Sequence, residues 1–249
     1  MLTPERHQLI LKILKEQNTV KIQDLVDLTN SSESTIRRDL TQLEEEKFLK
    51  RIHGGAALLQ GKLQEMSMTE KSSKNLQMKK EIAHFAAGLV EEGDCIYLDA
   101  GSTIFEMIPF LPDNIVVVTN GLMHVSPIME KGIDLFLVGG QAKKKTGAII
   151  GRGALLSLEN YRFDKCFMGV NGIHPQYGYT TPDQEEAMIK QKAIELSREA
   201  FVLADDSKFS EIAFAKIADL HEAVIITNEM NHESIETYHS KTTIKVVTT

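Results

Sequence analysis

Five short polar stretches, each following an apolar run, hold the residues with the most specific chemistry: Asp99-Ala100-Gly101-Ser102-Thr103, Thr119-Asn120-Gly121, Gly139-Gly140, Gly169-Val170-Asn171-Gly172 and Asp205-Asp206-Ser207-Lys208. Gly101 lets the backbone approach a ligand closely, Ser102 and Thr103 offer hydroxyls, and a helix beginning there would add N–H groups. Together these suit a phosphate, with Lys208 as counter-charge. Asp99, Asn120, Asn171, Asp183, Glu185 and Glu186 carry the donors and acceptors that pair with sugar hydroxyls, and Gly139, Gly140 and Gly172 are the small residues among them. Alone, Gly101-Ser102-Thr103 reads as a turn and helix cap and Gly139-Gly140 as a turn; recurrence at several strand ends favours a ligand site. Lys143-Lys144-Lys145 reads as a solvated loop without a functional role.

A second set lies near the start of the chain. Thr3 and Pro4 suit a helix start, and Leu9, Ile10, Ile13 and Leu14 give an apolar face to a helix running to residue 16. Thr19-Val20-Lys21 is extended, and Ile22, Leu25, Val26 and Leu28 form a short second helix ended by Thr29-Asn30-Ser31-Ser32. Ser32 caps a third helix over residues 33–46, with Ile36, Leu40 and Leu43 inward and Ser34, Thr35, Arg37, Arg38 and Gln42 outward. Residues 47–55 then alternate apolar with basic or polar before a glycine turn, as a wing hairpin would, and present Lys50, Arg51 and His53. Two helices, a polar turn and a wing make a winged helix-turn-helix whose third helix can enter the major groove of double-stranded DNA. An arginine fork can engage two base or phosphate acceptors at once. The plainer alternative is a solvated Arg37-Arg38 face paired with Glu33, Asp39 and Glu44; the surrounding elements favour the DNA reading.

From Asn75 onward helices alternate with short apolar strands. Ile82, Phe85, Ala86, Leu89 and Val90 share a helix face, and residues 95–98, 115–119, 133–138, 165–170, 201–204 and 224–227 read as strands, with helices over 102–111, 122–131 and 182–197. Continuous apolar strands spaced by helices imply a mostly parallel α/β sheet covered on both faces, with its ligand beyond the strand carboxyl ends. Those ends are where the five polar stretches fall.

The chain has 249 residues, 42% hydrophobic, enough for one large or two smaller cores. Its net charge of -7 disfavours a basic coat, and since residues 1–53 balance nine basic against nine acidic side chains, the rest carries the whole excess. Runs such as 115–118 and 224–226 fall far short of the roughly 18 residues of a membrane span, and no signal peptide is evident, so no membrane partner and a cytoplasmic location are expected. Cys95 and Cys166 read as buried thiols, and the eight histidines show no ligand spacing, so neither a metal nor another cofactor is expected.

The run Arg6-x3-Ile10-x3-Leu14, seventeen residues, then Ser32-x2-Thr35-Ile36-Arg37-Arg38-Asp39-Leu40, closed by His53-Gly54-Gly55-Ala56, resembles the N-terminal signature of the DeoR family of bacterial transcriptional repressors. One departure is Lys47, where the family usually has glycine. The strand-end set resembles the family's effector domain, similar in fold to ribose-5-phosphate isomerase and glucosamine-6-phosphate deaminase: Asp99–Thr103 looks like its phosphate loop and Asp206-Ser207-Lys208-Phe209 its late lysine motif. Asn171-Gly172-Ile173 with Tyr179–Glu186 looks most like fructose-operon repressors, and the implied inducer is fructose 1-phosphate.

The expected organisation is a DNA-binding domain over residues 1–57, a linker over 58–73 and a sugar-phosphate-sensing domain over 74–249. The expected function is a non-enzymatic repressor, a homo-oligomer (dimer or tetramer), released from its operator by the sugar phosphate. Alternatives are a repressor for another sugar-phosphate pathway, a sugar-phosphate isomerase or deaminase using Asp183, Glu185, Glu186 and Lys208 for proton transfer, and a protein-interaction module.

Overall fold

A computed structural model of the chain describes residues 3–17, 19–46, 48–52, 54–58, 67–228 and 232–247. It divides into two units, Met1–Gly61 and Lys62–Thr249.

In the first unit, the apolar spacing produces α1 (Thr3–Gln17), β1 (Thr19–Lys21), α2 (Ile22–Thr29) and α3 (Glu33–Glu45), followed by the hairpin β2 (Leu49–Ile52) and β3 (Gly55–Leu58). Asn30 ends α2 in the left-handed conformation that asparagine tolerates, and its N–H returns to the Val26 carbonyl. Ser32 caps α3 by accepting from the Thr35 N–H at 3.3 Å. Ile10, Leu14, Leu25, Ile36, Leu40 and Leu49 are fully buried together, and β3 pairs antiparallel with both β1 and β2. The winged helix-turn-helix is therefore present. His53 and Lys47 lie outside the described residues.

The second unit runs α4 (Met68–Ser73), α5 (Leu76–Ala87), β4 (Cys95–Leu98), α6 (Ser102–Phe105), β5 (Val116–Thr119), α7 (Val125–Glu130), β6 (Asp134–Leu137), β7 (Gln141–Ala142), β8 (Ile149–Ile150), α8 (Arg152–Leu158), β9 (Phe163–Gly169), β10 (Gly172–His174), β11 (Gly178–Thr181), α9 (Gln184–Glu195), β12 (Ser197–Leu203), β13 (Ala215–Ala218), β14 (Val224–Asn228), α10 (His232–His239) and β15 (Ile244–Val247). Seven strands form a parallel sheet in the order β15-β14-β12-β9-β4-β5-β6.

Both sheet faces are buried, which accounts for the unbroken apolar runs. Tyr97, Cys166, Met168 and Val202 pack on one side; Ile96, Leu98, Phe167, Phe201 and Leu203 pack on the other. Cys166 is buried as expected, whereas Cys95 is only half-buried.

Three expectations need correction. Residues 67–73, read as linker, contain α4 with a reciprocal capping box between Ser67 and Glu70. The helix expected over 102–111 is the single turn α6 plus a 3-10 turn at Ile108–Phe110, with Pro109 inside. A small antiparallel sheet, β10-β11-β13, whose strands mix glycine, threonine, histidine and lysine with their apolar residues, and the four-residue edge strand β15 are absent from the expected strands because the runs are too short to stand out.

Candidate functional site

On α3, Arg38 projects outward and makes no hydrogen bond or ion pair among the described residues. Arg37 is also exposed but donates through Nε to Glu33 Oε1 at 2.9 Å, one turn back. Ser34 and Thr35 hydroxyls lie 2.9 Å from the Ser32 cap oxygen, and Gln42 donates to Glu46. Lys50 is exposed on the wing. Arg51 is turned toward α3: its N–H donates to Glu44 Oε1 at 2.7 Å, Nη1 donates to Thr41 Oγ1 at 2.9 Å, and its buried Nε finds no partner among the described residues. It braces wing to helix. Asp39, considered as a possible partner of Arg37-Arg38, is instead buried against Arg6 and His7.

In the second unit, parallel register places the carboxyl ends of β12, β9, β4, β5 and β6 in a row. From β4 the chain moves outward through β5 and β6, then returns to lay β9 on the other side of β4, so strand order reverses between β4 and β9. The Asp99–Thr103 loop and Gly169–Gly172 flank this reversal. Ser102 and Thr103 are buried, and the Thr103 hydroxyl makes no hydrogen bond among the described residues. Ser102 Oγ accepts from Lys79 Nζ at 3.0 Å. With α6 a single turn, little helix dipole is available, so positive charge here comes from lysine.

Lys79 meets this loop, and Lys208 is near enough to Lys79 to act on it electrostatically. Burial pushes the Lys79 ammonium below its usual pKa, with Asp205 opposing, and burial does the same to Lys208, again against Asp205. Lys208 Nζ makes neither hydrogen bond nor close ion pair among the described residues. Asp205 is held as a carboxylate: burial pushes its pKa up, but Lys208, Ser207 and Asn75 bring it below the usual range. Cations desolvated together favour an anion between them.

The acidic candidates are already engaged. Asp99 is 2% exposed, accepts from Lys190 Nζ on α9, and also accepts from the Gly169 N–H at 3.1 Å. Lys190 reaches on to the Gly169 carbonyl at 3.0 Å, bridging β4 and β9. Asp183 caps α9 through the Glu185 and Glu186 N–H groups and pairs with Lys143 at 2.7 Å. Burial raises the Asp183 pKa and Lys143 outweighs it, leaving the carboxyl below its usual value. Glu186 is buried against Lys143 and the Thr146 hydroxyl, both at 3.0 Å, whereas Glu185 is exposed. Lys143 is therefore no solvated loop residue.

Asn120 is engaged at both ends of its amide. Its Oδ1 accepts from the Ala100 N–H at 2.9 Å and its Nδ2 donates to the Ile149 carbonyl at 3.2 Å. Asn171 Oδ1 accepts from Thr181 Oγ1. Gly139 is exposed, while Gly140 has φ +154 and a Cβ there would lie 2.7 Å from the Ile150 carbonyl oxygen. A Cβ on Gly172 would collide with the Glu211 carbonyl. Gly140 and Gly172 thus answer to backbone packing.

Residues 6–62 match the DeoR-like helix-turn-helix domain and residues 74–229 the DeoR C terminal sensor domain. The chain belongs to the DeoR family. The HTH-type transcriptional regulator FruR of Bacillus subtilis (strain 168) is 55% identical over 249 residues, 99% of each chain. The transcriptional repressor GlcR of the same strain is 32% identical over 94% of this chain and 92% of its own. The lactose phosphotransferase system repressor of Lactococcus lactis subsp. lactis is 33% identical over 96% of each. Among solved structures, ribose 5 phosphate isomerase A from Neisseria gonorrhoeae overlaps 58% of this chain and 56% of its own, at TM-score 0.40 and 16% identity.

In this DeoR-family chain, sequence reasoning missed Lys79, Lys143 and Lys190. Lys143 sits in a run of three lysines, and Lys79 and Lys190 lie on helices beside other polar residues. Only the burial of Lys79 and Lys190, 5% exposed each, separates them from surface lysines. Among the described residues no helix is long and apolar enough to cross a membrane, and no His/Cys/Asp/Glu group is arranged to hold a metal.

Proposed function

We propose that this DeoR-family protein represses a sugar-utilisation operon, fructose being the favoured sugar, and is released from operator DNA by a phosphorylated sugar such as fructose 1-phosphate. The observation that carries the reading is the buried Lys79 ammonium on the Ser102 hydroxyl at the strand-order reversal, with a second desolvated ammonium, Lys208, close enough to act on it. Such a group of cations and neutral donors binds a phosphate dianion by charge-assisted hydrogen bonds. Glu185, Asn171, Gly139 and the outer edge of Asp183 are placed for the sugar.

The FruR, GlcR and lactose-system names of the relatives support a sugar-linked operon. Of the four residues the isomerase or deaminase reading needs, Asp183 and Glu186 are ion-paired to Lys143, which favours their carboxylate forms and weakens that reading, while Glu185 and Lys208 are not held in this way.

On the DNA side, Arg38, Arg37, Ser34, Thr35 and Gln42 face the base edges of a half-site, and Lys50 meets phosphate. His53 follows on the wing in sequence. A homodimer or tetramer supplies the second winged helix for the other half-site, and the effector acts by binding one arrangement of the oligomer more tightly than the other. Action on chromosomal DNA places the protein in the cytoplasm.

The test is a mobility-shift assay on the DNA upstream of the protein's own gene, titrated with a panel of sugar phosphates. One phosphorylated sugar should release the DNA at far lower concentration than the rest. Retention of DNA under the whole panel, or turnover of a panel member, would overturn the reading.

A further inference from the structure

The short helix α4 is held by the same residues that form the anion site. Lys79 Nζ donates both to Ser102 Oγ at 3.0 Å and to the main-chain carbonyl of Lys71 in α4. Asn75, left-handed at φ 54, uses its side chain to reach Asp205 Oδ1 at 3.2 Å. The Met68 N–H donates to the Lys145 carbonyl at 3.2 Å, and α4 packs against α6, the turn that carries Ser102 and Thr103.

A helix of six residues does not persist on nucleation and propagation alone, so α4 depends on these ties. The segment also brings charge. Lys71 and Lys74 act on the Lys208 ammonium, and Lys74 acts on Lys79, so the positive charge of four lysines gathers here, opposed by Asp205, Glu106 and Glu211. Mutual repulsion of this kind is relieved by a bound anion. An ammonium has three N–H donors; Lys79 spends two and keeps a third for a ligand without leaving Lys71.

We propose that Ser67–Asn75 forms the second half of the phosphate site: a dianion seated at Ser102, Lys79 and Lys208 draws Lys71 and Lys74 onto itself and fixes α4. This rests on the sugar-phosphate reading above and deepens it. α4 is the first described element of the second unit, so effector charge acts at the N-terminal edge of the sensor part. The occupant's phosphate, rather than its sugar, does the fixing.

Amide hydrogen exchange of the full chain, with and without saturating fructose 1-phosphate and separately with inorganic phosphate, tests this. Both ligands should slow exchange at residues 101–103, and both should slow residues 69–74 by about tenfold or more, the effect of one or two added charge-assisted contacts. The double variant Lys71→Gln/Lys74→Gln, altered outside the core, should bind either ligand about tenfold more weakly by calorimetry and lose the slowing at 69–74. Protection at 101–103 with unchanged exchange at 69–74, or an unaltered Kd in the double variant, would overturn the role of α4 while leaving the sensor reading intact. A wild type unprotected at 101–103 by both ligands would withdraw the sensor reading and this inference together.

Discussion

Arg6 of α1 and Asp39 of α3, thirty-three positions apart, form a buried two-point ion pair: Arg6 Nε donates to Asp39 Oδ2 and Nη2 to Oδ1 at 2.9 Å, with His7 Nε2 3.2 Å from Oδ1. The motif residues Arg37-Arg38-Asp39 therefore divide their labour. Two face outward, and the third fastens the helix that carries them to α1.

Removing Asp39 takes the two-point carboxylate partner from the buried Arg6 guanidinium, a loss that costs about 3–5 kcal/mol. Asp39→Ala should speed amide exchange throughout α1 and α3 and abolish operator binding without altering the second unit's exchange. Burial raises the Asp39 pKa, but Arg6 and His7 outweigh it and hold the carboxyl below its usual value. The pair's contribution is thus complete above the unfolded carboxyl pKa of about 4 and fades as pH falls through the lower folded value. Normal α3 protection in Asp39→Ala would show that the pair holds nothing.

Arg38 and Arg51 should part company. Arg38→Ala should weaken specific operator binding by about 1–3 kcal/mol per lost base contact and leave folding intact. Arg37→Ala should act similarly, since its exposed pair with Glu33 is worth at most about 0.5 kcal/mol. Lys50→Ala should weaken all sequences alike and reduce the salt slope by about 1. Arg51→Ala should show first as loss of wing stability, because Arg51 joins the wing to Thr41 and Glu44. Footprinting that shows full operator protection with Arg37 and Arg38 both replaced would remove α3 from the groove.

His124 gives the second unit an acid limit. Its ring is fully buried, and burial drives its pKa down to about 4. The Thr119 hydroxyl hydrogen goes to the Leu98 carbonyl at 2.6 Å, so Nδ1 carries the ring proton toward Thr119; Asp99 and the Gly101 backbone favour the charged ring, and burial outweighs both. Below about pH 6.5 the unfolded imidazole takes up a proton that the folded state refuses until about pH 4, so stability falls across that window by roughly 3 kcal/mol. Melting temperatures of wild type and His124→Gln, compared from pH 7 to pH 4, should converge as pH falls. A constant gap would contradict the assignment.

The apolar spacing that makes α1, α3, β4 and β9 was legible because burial of a whole face leaves a period in the sequence. The row of strand ends followed from parallel topology, which puts Asp99, Asn120, Asn171 and Asp205 on one edge. The partners of those residues did not follow. Asp99 looks like a free sugar ligand until Lys190 is brought to it from ninety-one positions away, and Asn120 until Ala100 and Ile149 use both ends of its amide. Pairings of that range leave no local pattern. The Lys143 run looked solvated for the same reason, since Asp183 and Glu186 lie four strands and a helix further on.

The central claim, that a phosphorylated sugar acts through the lysines at the strand ends, is tested most directly by operator release against fructose 1-phosphate for wild type and Lys208→Ala, followed by fluorescence anisotropy. Ligand-free operator affinity should match, and the release midpoint of the variant should rise by about tenfold or more, the loss of a charged contact worth about 1.5–3 kcal/mol. Identical midpoints would contradict the account.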